Sequence, residues 1–598
     1  MAAFLAAVFA AVLGTADTAS LTHEIVVAGG TAKGEEPLFR VGWMTDTHIG
    51  KTRESCRHVQ AALELFRKFE VDAVINNGDI ADHYYPTGYE AYRAIMDETF
   101  TDAKKKPQEI YAWAWHDVYE WNGPRVREST AEQRKVCYAD VAKRLGIPHK
   151  MTDKITINGY TFLVFPQWTS DCEYGDKRGN AAYEQAITDA EAEANAGGKP
   201  VFVVDHVPPA ATVAKSANWG CSYRRKFLEN HPGVIHLSGH THGSLRDESA
   251  IWQGNFTAVN ATCLQVWRDD PAETGGSPKG NHWALVIEGF KDRIVFRRFD
   301  VRDGVEYKRF DPWCVPWPFD PKTAPYSFER RKASTPVPAF EAGARPEVRA
   351  DEPFTGFTLA LPPLAEGGDT VYRYQISIAE KKAQGWRPFR KIERPAWFFL
   401  RPESRSSEAG DTVTFSSGYF ETGRTYRFEV MPVNFFEVAG DPIYAEAVAP
   451  AAKQPQLLWK SDDPMTELKF ISGDDGTEDG KPLPKEDGWY VLTGGLRRLV
   501  LPSKMWDVPK GTKLRFTADL EIVQPDDRES RIYNVQLMRF KPVLSTACGR
   551  IRTPRGEAGM QRYVIEFSKS KDIPYSFVVR EGASGKVKFH RLKLEKID

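Results

Sequence analysis

Carboxylates and imidazoles follow directly on short apolar runs in the first half of the sequence. Asp46 and His48 come after VGWMT (41–45), Asp79 and Asp82 after AVIN (73–76), and His116 and Asp117 after IYAWA (110–114). His206 follows VFVV (201–204), and His240 and His242 follow VIHL (234–237). Of the 13 histidines only His590 lies beyond residue 300, so the imidazoles are concentrated where these runs are. If the runs are strands of an open α/β sheet, their carboxyl ends converge on one crevice and bring these side chains together. A mixed Asp and His set suits Mn, Fe or Zn, whereas Ca and Mg prefer all-oxygen shells.

Local patterns supply the elements that must hold those residues. VGWMT and AVIN have the continuous apolar character of buried parallel strands. Between them Val59, Ala62, Leu63, Phe66 and Phe69 recur at helical spacing, which predicts a right-handed β-α-β unit. Further strands are predicted at 110–114, 162–165, 201–204 and 234–237, and WALVIEGF with RIVFRRFDV reads as a closing hairpin. The expectation for residues 17–310 is a layered α/β domain.

Taken in order, TDTH (45–48), NGDIAD (77–82), WHD (115–117), DHVPP (205–209) and GHTH (239–242) resemble the motif set of the calcineurin-like metallophosphoesterases, over about residues 38–305. The resemblance implies a layered α/β sandwich with two divalent or trivalent transition metals, Mn, Fe or Zn. Asp46, His48 and His242 would hold one metal, His206 and His240 the other, and Asp79 would bridge them. Hydroxide held between the cations would attack a phosphate mono- or diester. His116 and Asp117 would be the catalytic pair, His116 as general acid, with Asp117 or Asp82 orienting imidazoles. Lys51 and Arg53, just after the first motif, are candidates for binding substrate phosphate or for solvated loop charges.

The sequence departs from the family pattern at Trp115, where an Asn amide oxygen ordinarily ligates the second metal. Indole offers no lone pair to a cation, so the second site keeps Asp79, His206 and His240 and is expected to be the weaker one. Asn122 and His83 are alternative donors. Purple acid phosphatases carry a Tyr three residues after the bridging Asp and a Gly at the position of His48; Asp82 and His48 set this chain apart from them. The rival to an active enzyme is a degenerate metallophosphoesterase that serves as a glycan- or surface-binding protein.

The remainder reads as β structure. Across 598 residues, 41% hydrophobic and 12% aromatic, the composition is that of a large folded protein. With 80 basic and 81 acidic residues the formal charge of −1 removes the basic footprint of a nucleic-acid binder, so no nucleic acid is expected as a partner. Residues 311–335, rich in Pro and aromatics, are expected to be a linker. Residues 336–452, where Tyr372, Tyr374, Ile376 and Ile378 alternate with polar residues, resemble a fibronectin type III module. In 453–598, Leu514, Phe516, Ala518, Leu520 and Ile522 alternate in what resembles a carbohydrate-binding jelly roll, with a glycan or cell-surface polymer as its partner. The whole is expected to be multidomain, one α/β layered domain followed by two all-β sandwiches. The apolar run 4–13 before Gly14, Thr15 and Ala16 reads as a signal peptide cut after Ala16, hence export to the periplasm, the medium or the cell surface. No later stretch is apolar enough to span a bilayer.

A few features carry less. The seven cysteines include no CxxC pair; Cys172 and Cys221, both in loop-like sequence, are either a disulfide pair or buried thiols. The sequons at Asn255 and Asn260 lie in strand-like sequence and carry no functional weight. His23, His58, His149, His231, His236 and His282 read as structural or surface histidines. Trp113, Trp115, Trp121 and Trp219 fall near the crevice and are candidates to stack on a sugar or base, although Trp113 reads as core.

Overall fold

A computed structural model describes residues 35–50, 54–82, 86–118, 131–148, 150, 152–167, 181–264, 282–301, 304–307, 311–365, 371–396, 412–451, 455–461, 469–472, 484–500, 508–525, 533–539, 545–553, 557–569 and 575–597. The expected signal peptide, Lys51, Arg53, His23, His83, His149, Trp121, Asn122 and Cys172 lie outside the described residues. The chain divides between Ser334 and Thr335 into two compact units.

Two sheets form the first unit. Its strands are β1 (Phe39–Met44), β2 (Ala73–Asn76), β3 (Gln108–Tyr111), β4 (Asp153–Ile157), β5 (Tyr160–Val164), β6 (Val201–Val204), β7 (Val234–Ser238), β8 (Ile251–Gln253), β9 (Thr257–Asn260), β10 (Trp283–Gly289), β11 (Arg293–Asp300), β12 (Val305–Glu306) and β13 (Trp313–Pro316). One sheet runs β12-β11-β10-β1-β2-β3, the other β4-β5-β6-β7-β9-β8. The pairs β1–β2, β2–β3, β5–β6 and β6–β7 are parallel, and β10 with β11 is the antiparallel hairpin that the sequence predicts. The predicted strands at 73–76 and 201–204 match in their bounds, whereas β3 stops at Tyr111 and leaves Trp113 and Trp115 in the segment leading to the crevice.

Strand alternation sorts side chains into layers. Phe39, Val41, Trp43, Ile75 and Ile110 meet Phe162, Val164, Phe202, Val204 and Leu237 in one core between the sheets. On the other face Met44 and Val74 pack with Val59, Leu63 and Phe66 of the helix Ser55–Lys68, as the helical spacing predicts. Gly42 is required there: a Cβ would lie 2.4 Å from the Phe66 ring. Leu163, Val201 and Val203 form the opposite outer core with Tyr183 and Ile187 of the helix Ala181–Ala196. Helix, sheet, sheet and helix therefore stack in order, and the parallel strands of both sheets deliver their carboxyl ends to one edge.

The segment expected as a linker belongs to the first unit instead. β13 adds to β11, Trp313 is buried, and the Trp317 indole donates to Gly198 O at 2.8 Å. Glu248 ties the segment down, bonding Arg298, Trp313 Nε1 at 3.1 Å and Arg331 at 2.7 Å. The Pro and aromatic content that reads as a break is that of a strap whose rings are buried. Because the Arg298 side chain is fully buried, Glu248→Gln leaves its charge poorly matched and is expected to cost about 2 kcal/mol in urea denaturation.

The second unit holds the two β regions. In the first, β14 (Glu347–Ala350), β15 (Gly356–Ala360), β16 (Val371–Lys382), β17 (Gly385–Pro395), β18 (Thr412–Ser416), β19 (Thr425–Asn434) and β20 (Ile443–Val448) form a three-stranded sheet, β14-β15-β18, and a four-stranded sheet, β17-β16-β19-β20. In the second, Lys513–Gln524 pairs with both Gly559–Ser568 and Tyr575–Lys596, and Leu514, Phe516, Leu520 and Ile522 join Phe589 and Leu594 in its core. The two regions were expected as separate domains, but they pack together. The Tyr419 hydroxyl accepts from Val564 N at 3.3 Å, and Arg515, buried on the polar side of its strand, donates to Ser417 Oγ at 2.9 Å.

Candidate metal centre

Every candidate ligand lies a few residues past a strand end: Asp46 and His48 after β1, Asp79 after β2, His206 after β6, and His240 and His242 after β7. Asp46, His48, Asp79, His240 and His242 all take positive φ, between 38° and 70°. Residues with a Cβ rarely adopt that region, and its cost is borne where tight turns must aim side chains at one point. Gly239 sits inside this turn because a Cβ would come within 2.1 Å of Thr45 Oγ1 and 2.5 Å of Asp46 Oδ2.

The side chains converge as two groups that share a carboxylate. Asp46, His48, Asp79 and His242 form one, and Asp79, His206 and His240 the other. His242 Nε2 lies 2.9 Å from Asp46 Oδ1 and 3.3 Å from His48 Nε2. His206 Nε2 lies 3.3 Å from Asp79 Oδ2 and 3.2 Å from His240 Nδ1. Donors held tetrahedrally about 2.1 Å from a cation are roughly 3.4 Å apart, so these spacings suit an ion at the centre of each group. Asp46 gives a second indication. Its Oδ2 accepts from Thr45 Oγ1 at 2.8 Å and from His240 N at 2.9 Å, while the buried Oδ1 accepts no well-directed hydrogen bond and faces the imidazoles.

The electrostatics agree with a site made for cations. Burial opposes ionisation of Asp46 and Asp79, but His242 and His206 beside the first, and His206 and His116 beside the second, hold both carboxyls below the usual range. Burial likewise works against a charged His48, yet Asp46, Asp82 and Asp79 raise it to about 10; Asp79 and Asp46 raise His206 to about 9. Burial and the neighbouring His206 push His240 down to about 3. Two ionised carboxylates among four imidazoles form a borderline N/O donor set of the kind Mn, Fe and Zn take.

Residues outside the groups aim them. Asn77 donates to the Asp205 and Leu237 carbonyls at 2.8 and 2.9 Å, and its own carbonyl oxygen lies 3.0 Å from His206 Nδ1, which leaves Nε2 for the crevice. Asn260, fully buried, donates to Gly239 O at 2.6 Å and accepts from Thr262 N at 2.8 Å, pinning the turn that carries His240 and His242. The sequence offers Asn260 only as a sequon in strand-like sequence, and that strand-like context is the one signal of its role. Asp82 Oδ1 lies 3.4 Å from His48 Nδ1 and 3.6 Å from His116 Nδ1, facing both rings.

Asp117 requires a correction. It was expected in the catalytic pair or as a partner of an imidazole, but it is fully buried and its oxygens are taken up by the backbone. They accept from Asp79 N and Ala114 N at 3.1 Å, Ile80 N at 3.0 Å and the Tyr89 hydroxyl at 3.3 Å. Burial, and Asp79 next to it, raise its carboxyl to about 7. Asp117 holds the β2 and β3 turns together, and Asp82 alone of the two faces the imidazoles.

His116 is one-fifth exposed at the edge of the groups, with its main-chain N–H on Asp79 Oδ1 at 2.9 Å. Trp115 donates its main-chain N–H to Gln167 Oε1 at 2.7 Å, and its half-buried ring packs against the helix-side core. Trp113 is core, its indole donating to Lys150 O at 3.0 Å. Trp219 is 47% exposed beside His240. The other described histidines lie away from the groups: Glu191 is 2.6 Å from His231, His58 stacks on His282 at 3.5 Å, His236 is buried within β7, and Glu521 is 3.0 Å from His590.

Similar solved structures include a dimetal phosphatase from Danio rerio, 12% identical over 47% of this chain and 100% of that one with a TM-score of 0.30. A phosphoesterase from E. coli is 12% identical over 46% of this chain and 98% of that one, with a TM-score of 0.22. A xylan-binding domain from Paenibacillus barcinonensis is 10% identical over 25% of this chain and 99% of that one, with a TM-score of 0.16. No curated protein matches the sequence. Residues 39–244, running from β1 through the GHTH turn, match the family model of the calcineurin-like phosphoesterases.

Proposed function

We propose that the chain is an exported, metal-dependent phosphoesterase that hydrolyses a phosphate mono- or diester. The observation that carries this reading is the convergence of Asp46, His48, Asp79, His206, His240 and His242 into two groups sharing Asp79. Bound there, two cations would supply Lewis acidity and a lowered pKa for water. The chain's own residues do the rest. Asp46, His48 and His242 hold one position, His206 and His240 the other, and Asp79 offers an oxygen to both. His206 presents Nε2 because Asn77 O occupies Nδ1. His116, exposed at the edge and faced by Asp82, is placed to give a proton to the leaving oxygen. The test is release of nitrophenol from p-nitrophenyl phosphate and bis(p-nitrophenyl) phosphate by protein loaded with Mn, Fe or Zn. Turnover that disappears with a chelator and returns with metal supports the reading; metal-independent turnover, or none with any metal, opposes it.

Export rests on the apolar run 4–13 and the small residues after it, and the mature N-terminus is expected at Asp17. The second unit is proposed to attach the enzyme to a glycan or surface polymer. The region proposed to make that attachment is the jelly-roll-like 453–598.

Trp115 favours a second reading, a degenerate domain that binds and does not catalyse. By the family pattern Trp115→Asn would turn an amide oxygen from the helix-side core to the second group, and it is expected to raise the affinity of the weaker metal about 10-fold. Loss of the half-buried ring is expected to cost about 2 kcal/mol. Metal titration by calorimetry measures the first effect and urea denaturation the second. No gain in affinity, with no hydrolysis by either protein, would favour the second reading.

A further inference from the structure

The loop after His206 carries two side chains that the metal groups do not use. Trp219 is 47% exposed, and its ring centroid lies 5.5 Å from that of His240 at an interplanar angle of 66°. Lys215, also exposed, donates from Nζ to His242 O at 3.3 Å. An indole surface and an ammonium group thus stand on the same rim, each beside one of the two histidines of the GHTH turn. Burying a tryptophan is favourable, and leaving one half in solvent next to a polar crevice forgoes that gain.

The loop is a built structure. Ala210 N donates to Cys221 O at 3.1 Å and Cys221 N to Pro208 O at 2.9 Å, closing its base. Thr212 N donates to Ser216 Oγ at 2.8 Å, and Ala214 N to Ser249 O at 2.8 Å. Gly220 permits the close approach of the two sides, since a Cβ there would meet Ala210 Cα at 2.6 Å. Lys215 itself takes a left-handed backbone, φ 62°, to start the single helical turn Ser216–Trp219. These contacts fix where Trp219 stands.

We infer that Trp219 is a specificity-determining platform for aryl phosphoesters, stacking on a planar ring joined to phosphorus through the ester oxygen, with Lys215 attracting the anionic phosphoryl group. The inference rests on the phosphoesterase reading for the position of the phosphoryl group. Proximity to His240 selects the class: the indole adjoins a metal-ligand candidate directly, so the ring it contacts must sit close to phosphorus. Flat π surfaces stack on indole, whereas a short alkyl group gains little there.

The test uses the full chain loaded with Mn and two phosphonates that cannot be hydrolysed, phenylphosphonate and methylphosphonate, with affinities measured by calorimetry. Phenylphosphonate is expected to bind about 10-fold more tightly, the preference to vanish in Trp219→Ala and to persist in Trp219→Phe. Because Trp219 is half exposed, the Ala variant is expected to melt only a few degrees below wild type and to be fully folded at the assay temperature. A residue that merely supports His240 would change both affinities alike. Equal affinities in the wild type, a preference surviving in Trp219→Ala, or no binding of either phosphonate would overturn the inference. Hydrolysis of nitrophenyl esters without a phenyl preference would sink the platform alone; a Trp219-dependent phenyl preference without hydrolysis would sink the catalytic reading and leave the platform standing.

Discussion

Asp79→Asn is expected to lower metal-dependent phosphoester hydrolysis by at least about 1,000-fold while the fold survives. The substitution keeps the shape of the side chain, so the hydrogen bond from His116 N to Oδ1 at 2.9 Å can be retained by the amide oxygen. The amide nitrogen then replaces the oxygen that lies 3.3 Å from His206 Nε2 and 3.9 Å from His48 Nε2, the one point where the two groups meet. A neutral NH2 has neither the charge nor the lone pair to join two cations. Both the number of bound metals and turnover should therefore fall, while the circular dichroism spectrum and melting profile remain close to wild type. Activity within tenfold of wild type would mean that Asp79 does not join two metals.

Asp117→Ala is expected to act on stability first, costing about 4 kcal/mol in urea denaturation. Three backbone N–H groups, those of Asp79, Ile80 and Ala114, and the Tyr89 hydroxyl lose their acceptor in a buried region. Each such loss carries a desolvation penalty of about 1 to 3 kcal/mol, and partial relaxation of the turns brings the sum below simple addition. Asn is no remedy, because whichever way the amide is turned its NH2 faces groups that are themselves donors. Metal affinity should fall along with stability, since Asp79 takes its backbone position from this carboxylate. A variant as stable as wild type would show that the turns are held by something other than Asp117.

The parts of the fold that the sequence made legible are those set by local periodicity. AVIN and VFVV are strands because they are continuously apolar and buried on both faces. Val59, Ala62, Leu63 and Phe66 face the core because helical spacing puts them there. The same logic brought six candidate ligands to the ends of four strands, since parallel strands share a direction. Asp117 could not be separated from Asp82 in this way. Both follow a strand, and only the tertiary path of the turn decides that one carboxylate meets N–H groups and the other meets imidazoles. Asn260 and Asn77 work through side-chain bonds to backbone more than a hundred residues away, or across a neighbouring strand, which no spacing reveals. The strap failed for a different reason: Pro and Trp mark an interruption of regular structure equally well whether the segment hangs free or, as here, buries its rings beside Glu248.

The most direct test of the central claim is the number of metal ions per chain, measured by elemental mass spectrometry. The protein should be purified without chelator and equilibrated with Mn, Fe and Zn. Two groups of donors sharing Asp79 predict close to two ions per chain in the wild type, falling in Asp79→Asn. A wild-type chain that holds none would contradict the account.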